Sequence, residues 1–213
     1  MASHLSLTDS EKKQLLSLSR DTLRFCFEKA RIQNFRFGKN RAYSECEDKL
    51  SVKYSVQTIP ILKEILTCFI TLYALKGDSR QLRGCIGTIE ARSGETLMEN
   101  LISNTMMAAF SDSRFEPLEE TELDTTLIEI SILSKPEPIR FNTQEELFAL
   151  IKAKGVVMQA GINRATFLPQ VWDEISEPEE FLRHLARKGG IFSGDYLNAS
   201  YEIYEVLSFE DGE

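Results

Sequence analysis

The sequence is short of histidine, and this excludes several kinds of metal site. Of its 213 residues only two are histidines, His4 and His184, too few for a histidine-rich metal centre. No C-x-x-C pair occurs among the four cysteines, which are Cys26, Cys46, Cys68 and Cys85. This spacing argues against a disulfide framework and a zinc knuckle, so we predict reduced thiols. No cofactor is evident, and we predict no metal.

A long hydrophobic run is also lacking. The longest largely apolar stretch, at 65–75, is much shorter than the roughly 20 residues that a membrane-spanning helix needs. The first residues do not show the basic start and apolar segment of a secretory signal. We therefore expect a cytoplasmic protein that does not associate with membranes.

The sequence has fewer basic than acidic residues, which gives a net charge of -8 and a pI near 5.0. This balance works against sequence-independent binding to a phosphate backbone, although a local pocket for a small anionic or nucleic-acid-derived substrate stays open. A protein that modifies nucleic acid directly would need a basic patch. The residues available for such a patch are Arg83, Arg114, Arg164, Arg183, Arg187 and Lys188.

Hydrophobic periodicity predicts a mixture of helices and strands. The predicted helices cover about 9–30, the stretch SGETLMENLISNTMMAAFS, a segment capped by Thr143 and ended by Gly155, and a segment from Pro178 to Gly189. The predicted strands are a hairpin turning at Gly77 and Asp78, TLIEISIL, a hairpin turning near GIN, and YEIYEVLSF as one closing strand. Residues 31–58 are interpreted as a surface excursion or an irregular strand. The order predicts an α+β fold with a mainly antiparallel sheet flanked by helices.

The stretch QLRGCIGTIE, at 81–90, places Cys85 between two glycines on a predicted strand. Glycine within a strand marks a bulge or a close approach, so Gly84 and Gly87 are candidates for letting a substrate reach the sulfur. The neighbouring cation of Arg83 would favour the reactive thiolate. A buried structural cysteine is the alternative, and the local pattern favours it. A regular strand and a bulged strand both remain open at this point.

Two charged residues in SDSRFEPL are further candidates. Arg114 is suited to hold a carboxylate or phosphate with two hydrogen bonds, and Asp112 to accept a proton or to orient that arginine. The alternative is an ion pair that ties down the loop. Glu129 interrupts an apolar strand, so it either faces solvent or meets a cation such as Arg83 or Arg114.

The C-terminal part of the sequence supplies two more candidates. His184 is the one credible base for a Cys–His dyad, but the basic residues around it also fit a solvated helix face. Gln170 offers a neutral hydrogen-bonding side chain after a strand stop.

Several ordered blocks of the sequence resemble the AMMECR family, to which the AmmeMemoRadiSam system protein A belongs. These blocks are LRGCIGT, AAFSDSRFEPL, IEISIL followed by PEPI, ATFLPQVW and FLRHLARKGG. The resemblance implies one domain over 8–209, with a smaller lobe and with tails at 1–7 and 210–213. It also implies Memo-type proteins and a radical S-adenosylmethionine (radical SAM) enzyme as partners in a modification pathway.

Two functions are consistent with these observations. In the first, the protein is an enzyme or enzyme component in which Cys85 reacts within a cleft, with Arg83, Arg114, Glu129 and Asp112 in support. In the second, it is a non-catalytic adaptor whose glycine-rich cleft docks a partner. Direct modification of RNA is a third hypothesis, which the acidic balance disfavours.

Overall fold

A computed structural model describes residues 5–33, 41–54, 59–77, 79–191 and 198–212. Within these ranges the chain combines helices with two antiparallel four-stranded sheets, so the predicted α+β class is confirmed. The chain divides into two compact units. The larger unit comprises 6–132 and 207–212, and the smaller unit comprises Leu5 and 133–206, each within the described ranges.

The elements follow one another in a mixed order. The helices are α1 (Asp9–Gln33), α2 (Arg41–Lys53), α3 (Leu97–Phe110), α4 (Gln144–Ile151), α5 (Val171–Glu174) and α6 (Pro178–Lys188), with 3-10 helices at Pro60–Lys63 and Glu120–Thr125. The strands are β1 (Thr67–Lys76), β2 (Ser79–Gly87), β3 (Thr126–Leu133), β4 (Glu137–Pro138), β5 (Gly155–Ala160), β6 (Asn163–Phe167), β7 (Ser200–Tyr204) and β8 (Val206–Glu210).

The sheet of the larger unit has the strand order β2-β1-β3-β8. Helix α3 lies against β1 and β2, and α1 packs on α3. Alternate residues of the two central strands are completely buried, and these are Ile70, Leu72, Ile128 and Ile130. Because strand side chains alternate, one face of this sheet forms the core with the helices, while Thr71 and Glu129 lie on the opposite face.

The smaller unit has the strand order β4-β7-β5-β6, with antiparallel pairing throughout. Its core lies between this sheet and helices α4 and α6, where Leu147, Val156 and Phe181 are buried. Trp172 stacks on Phe181 with ring centroids 3.9 Å apart, and its indole N–H donates to the carbonyl of Lys154. The tryptophan therefore anchors packing in this core.

None of the helices within the described ranges combines the length and the apolar character that a membrane-spanning segment needs.

The prediction for 31–58 is wrong over Arg41–Lys53, which form α2. Cys46, Leu50 and Tyr54 recur every four residues and are buried, as on one face of a helix. The charged residues between them weaken the hydrophobic pattern, which explains why the sequence does not show the helix clearly. Residues 34–40 and 55–58 lie outside the described ranges.

The prediction of one closing strand is also wrong. Strand β7 ends at Tyr204 and β8 begins at Val206, and the two strands belong to different sheets. Glu205 lies between them, where its carbonyl accepts the backbone N–H of Ser134 and its own N–H donates to the Ser134 hydroxyl, both at 2.9 Å. Aromatic and β-branched residues stand on both sides of Glu205, so the sequence pattern does not reveal the change of sheet.

Gly155 does not end a helix, because α4 stops earlier, at Ile151. Ala153 then adopts a left-handed conformation with φ of 59°, and Gly155 opens β5. A Cβ atom on Gly155 would lie 2.3 Å from the ring of Tyr204. The glycine is therefore required by the close approach of that ring.

Candidate functional site

A bulge in β2 sets the geometry around Cys85. Along β1, Leu72 pairs with Gly84 and Tyr73 pairs with Leu82, so Arg83 is the extra residue. The sequence was consistent with either a regular or a bulged strand, and the structure shows a bulged one.

The bulge brings Cys85 to the face of the sheet that lies away from the helices. Cys85 pairs directly with Thr71 on β1, and paired residues share a face. Gly84 pairs with Leu72, which is completely buried on the helix side. The thiol and the preceding glycine therefore serve opposite faces of the sheet.

Both glycines beside Cys85 are explained by close packing. A Cβ on Gly84 would lie 2.2 Å from the carbonyl oxygen of Ala108, so α3 approaches β2 at this point. A Cβ on Gly87 would lie 2.1 Å from the ring of Phe69. The space that each missing side chain leaves is thus filled by the protein itself.

Arg83 is held by the segment that follows α3. Its Nε and Nη2 donate to the two carboxylate oxygens of Glu122, at 2.8 and 2.9 Å. Its guanidinium also donates to the carbonyls of Glu116 and Pro117, at 2.7 and 3.1 Å. The hydrogen bond from Arg83 lowers the pKa of Glu122. The positive charge of Arg83 is thereby balanced by a carboxylate that the sequence analysis did not single out.

Asp112 and Arg114 clamp the backbone of Cys85. Asp112 is buried and accepts hydrogen bonds from the Cys85 backbone N–H at 2.9 Å and from Nε and Nη2 of Arg114 at 2.9 and 2.7 Å. Nη2 of Arg114 also donates to the Cys85 carbonyl at 3.1 Å. The side-chain hydrogen bonds from Arg114 hold the pKa of Asp112 well below its usual range. Asp112 is therefore an ionised, fully engaged carboxylate.

The sulfur of Cys85 differs from the other three in its surroundings. Cys26, Cys46 and Cys68 are buried, whereas Cys85 is partly exposed. Desolvation by burial raises the pKa of Cys46 and of Cys68 to about 12 in each case. The Cys85 sulfur instead accepts a hydrogen bond from the hydroxyl of Thr71 at 3.4 Å. Thr71 is a site residue that the sequence analysis missed, since a threonine in a strand gives no distinguishing signal.

Glu129 lies on β3, on the same sheet face as Tyr73. Desolvation, followed by the negative charges of Glu129 and other groups, raises the pKa of Tyr73. The guanidinium of Arg80 lies 4.7 Å from the centroid of the Tyr73 ring and pairs with Glu210. This part of the face therefore combines a phenol, carboxylates and one paired cation.

Gln170 and His184 belong to the smaller unit. Gln170 precedes α5, and its carbonyl accepts the N–H of Asp173 at 3.1 Å. His184 is half-exposed on α6, with Nε2 3.8 Å from a carboxylate oxygen of Glu180. This pairing one helical turn apart is the geometry of a solvated helix face.

Most of the residues that a basic patch would require already have acceptors. Arg164 pairs with Glu202, and Arg183 pairs with Glu180. Lys188 donates to the carbonyl of Thr166. Together with the ion pairs of Arg83 and Arg114, these contacts reduce the positive potential available to a phosphate backbone. Among the described residues, no group of three or more His, Cys, Asp or Glu is arranged to hold a metal ion.

Comparison with known proteins assigns the family. The sequence model of the AMMECR1 family matches residues 36–209, which include every candidate site residue. The chain belongs to the AMMECR1 family. The predicted family is therefore confirmed.

Similar proteins extend the AMMECR1 match over nearly the whole chain. A protein of Thermofilum pendens is 36% identical over 156 residues, covering 69% of this chain and 72% of its own length. Protein MJ0810 of Methanocaldococcus jannaschii is 32% identical over 206 residues, with 94% of each chain covered. The crystal structure of the uncharacterized protein PH0010 from Pyrococcus horikoshii is similar with a TM-score of 0.69 and 26% identity, over 97% of this chain and 94% of that one.

Proposed function

We propose that this AMMECR1-family protein is a thiol-dependent component of a modification system, with Cys85 as its reactive group. The observation that carries the proposal is that Cys85 is the one partly exposed cysteine of the four, and its backbone is fixed on both sides. Its N–H is held by Asp112 and its carbonyl by Arg114. A fixed position favours a reacting atom because the cost of orienting it has already been met in the folded protein.

In the proposed step, the Cys85 thiolate attacks an electrophilic carbon of a substrate that carries its own leaving group. A sulfur–carbon bond forms, the bond from carbon to the leaving group breaks, and the leaving group departs with that electron pair. The thiol proton passes to water or to the carboxylate of Glu129. The Thr71 hydroxyl orients the sulfur, and the exposed edge of the Arg114 guanidinium holds an anionic group of the substrate.

The proposed setting is a cytoplasmic pathway shared with a Memo-type protein and a radical SAM enzyme. This part of the proposal rests on the resemblance of the sequence blocks to the AMMECR family. The proposed reaction needs neither a metal nor a cofactor within this chain, because substrate activation comes from the partner enzymes. Gly84 and Gly87 serve the proposal by allowing α3 and Phe69 to support the strand that carries Cys85.

Alkylation with iodoacetamide tests the reactivity of Cys85. The rate is followed by mass spectrometry between about pH 6 and pH 10 and is compared with that of a short unstructured cysteine peptide, whose thiol has an ordinary pKa of about 8.5. We expect Cys85 to react faster than the peptide at neutral pH, and Cys26 to react far more slowly because it is buried. A Cys85 rate equal to or below that of the peptide would refute a reactive thiol.

A matched pair of threonine variants tests the orientation of the sulfur. Thr71→Val removes the hydroxyl beside the sulfur, and loss of one hydrogen bond corresponds to a fall of about three- to tenfold in the alkylation rate. Thr67→Val is the control, since Thr67 is also buried on β1 but donates to the carbonyl of Ile89. Equal rates in the two variants would remove Thr71 from the proposal.

A non-catalytic adaptor is the second candidate function. The specific observation in its favour is that Arg83, Asp112 and Arg114 all have partners inside the protein. Such saturated ion pairs are suited to building a rigid docking surface. Capture of a purified Memo-type protein by the wild type and by Cys85→Ser separates the two candidates. Full capture and full cellular function with Cys85→Ser support the adaptor, whereas capture without cellular function supports the reactive thiol.

A further inference from the structure

Helices α1 and α2 of the larger unit lie antiparallel and are connected by ion pairs. Lys29 of α1 pairs with Glu45 of α2, and Asp21 of α1 pairs with Lys53 of α2. Later residues of α2 therefore lie beside earlier residues of α1. The hydroxyl of Tyr54, just after α2, also donates to Asp21 at 2.7 Å. These contacts fix which residues of the two helices are level with each other.

Cys26 and Cys46 lie between the two ion pairs, one on each helix. Cys26 is three residues from Lys29 toward Asp21, and Cys46 is one residue from Glu45 toward Lys53. At 1.5 Å per residue, their levels along the helices differ by only about 3 Å. Both side chains are buried, with exposures of 2% and 0%. They therefore occupy neighbouring positions inside the interface between α1 and α2.

The ionisation of the two thiols supports this proximity. Burial, followed by the nearby thiol of Cys46, raises the pKa of Cys26. Burial raises the pKa of Cys46 to about 12, while a hydrogen bond with the Thr22 side chain lowers it. Thr22 and Cys26 are four residues apart and share one face of α1, which places Cys46 against that face.

We propose that Cys26 and Cys46 are a disulfide-forming pair that covalently links α2 to α1 under oxidising conditions. Two-electron oxidation by a peroxide first converts one thiol to a sulfenic acid and releases one water. The other thiol then attacks that sulfur, so that the S–S bond forms, the S–O bond breaks and a second water leaves. One hydrogen peroxide is consumed, and the protein loses two hydrogen atoms. This inference involves neither Cys85 nor the proposed function.

The burial of both thiols determines how the reaction proceeds. Peroxide must reach the sulfur from solvent, and the thiol must be exposed to solvent to ionise. Oxidation therefore follows transient separation of α2 from α1. The bond then closes a loop of about twenty residues, which restricts the unfolded chain and raises the temperature of unfolding. Oxidation is therefore slow, but its product is more stable than the reduced protein.

Mass spectrometry of the peroxide-treated Cys85→Ser protein tests the inference, because this background removes the partly exposed thiol. We expect a loss of two hydrogen atoms in the folded protein and a cross-linked peptide that joins Cys26 to Cys46. The temperature of unfolding should rise by about 5 °C or more and return on reduction. Cys68 serves as an internal control, since it is equally buried but lies on β1 with Asn100 as its contact.

Three results would overturn the inference. They are a link that involves Cys68, oxidation of Cys26 or Cys46 to sulfinic acid without a link, and a link that forms only after complete unfolding. Low urea provides a further test. It increases the transient separation of α2 from α1, so it should accelerate formation of the disulfide while the protein remains folded. Cys46→Ala should abolish both the link and the rise in unfolding temperature.

Discussion

The carboxylate of Asp112 accepts the backbone N–H of Cys85 at 2.9 Å, and this contact joins the loop after α3 to strand β2. Arg114 completes the arrangement, because it binds both oxygens of Asp112 and the carbonyl of Cys85. The ion pair between Asp112 and Arg114 therefore also holds the backbone of Cys85 in place.

Asp112→Asn is expected to destabilise the protein by about 2 kcal/mol, since it weakens charged hydrogen bonds made by a buried group. The free energy of unfolding in urea measures the effect. Asp124→Asn is the control, because Asp124 is exposed in the same region of the chain, and it should change stability by less than about 0.5 kcal/mol. Equal effects of the two substitutions would contradict the role assigned to Asp112.

The stability of the protein should fall in acid, and Asp112 should account for part of that fall. Arg114 lowers the pKa of Asp112 in the folded state, so below about pH 4 the unfolded chain binds the proton more readily. The contribution is complete above the unfolded pKa and is lost as pH falls through the folded pKa. Unfolding free energies measured from neutral pH into acid should depend less steeply on pH in Asp112→Asn. Parallel curves for the variant and the wild type would refute this assignment.

Gly84→Ala is expected to cost about 3 kcal/mol or more, because the added Cβ would meet the backbone carbonyl of Ala108 at 2.2 Å. Gly77→Ala provides the comparison. Gly77 has open space around it and a φ of +60°, so only backbone strain of about 1 kcal/mol is expected. Thermal unfolding of both variants measures the difference. A milder effect at Gly84 than at Gly77 would show that α3 can move away without cost.

Arg83 and Glu122 should be energetically coupled to each other rather than to the thiol. Arg83→Gln and Glu122→Gln are each expected to destabilise the protein, with a coupling energy of about 1 kcal/mol in the double variant. The alkylation rate of Cys85 should stay within about twofold of the wild type in both single variants. If Arg83 acts on the thiol directly, Arg83→Gln slows alkylation and Glu122→Gln, which releases the guanidinium, accelerates it.

The C-terminal segment shows how sequence pattern and tertiary structure differ in what they reveal. The aromatic and β-branched residues of YEIYEVLSF correctly predict extended chain, but they contain no information on which sheet each half joins. Asp211 gives a second case, since it lies in a segment predicted as a tail. Its carboxylate pairs with Arg20 and accepts the N–H of Ile128 at 2.9 Å. These partners are more than 80 residues away in the chain.

The sequence by itself determined the family, the α+β class and the place of Cys85 between two glycines on a strand. These features depend on local order and on periodicities of two and 3.6 residues, which are written in the chain. Only the tertiary structure decided that Arg83 meets Glu122, that α3 and Phe69 fill the space at the glycines, and that Lys29 of α1 pairs with Glu45 of α2. The physical reason is that such partners are distant in the sequence and meet only through packing, while in β2 a single extra residue sets the sheet face on which Cys85 lies.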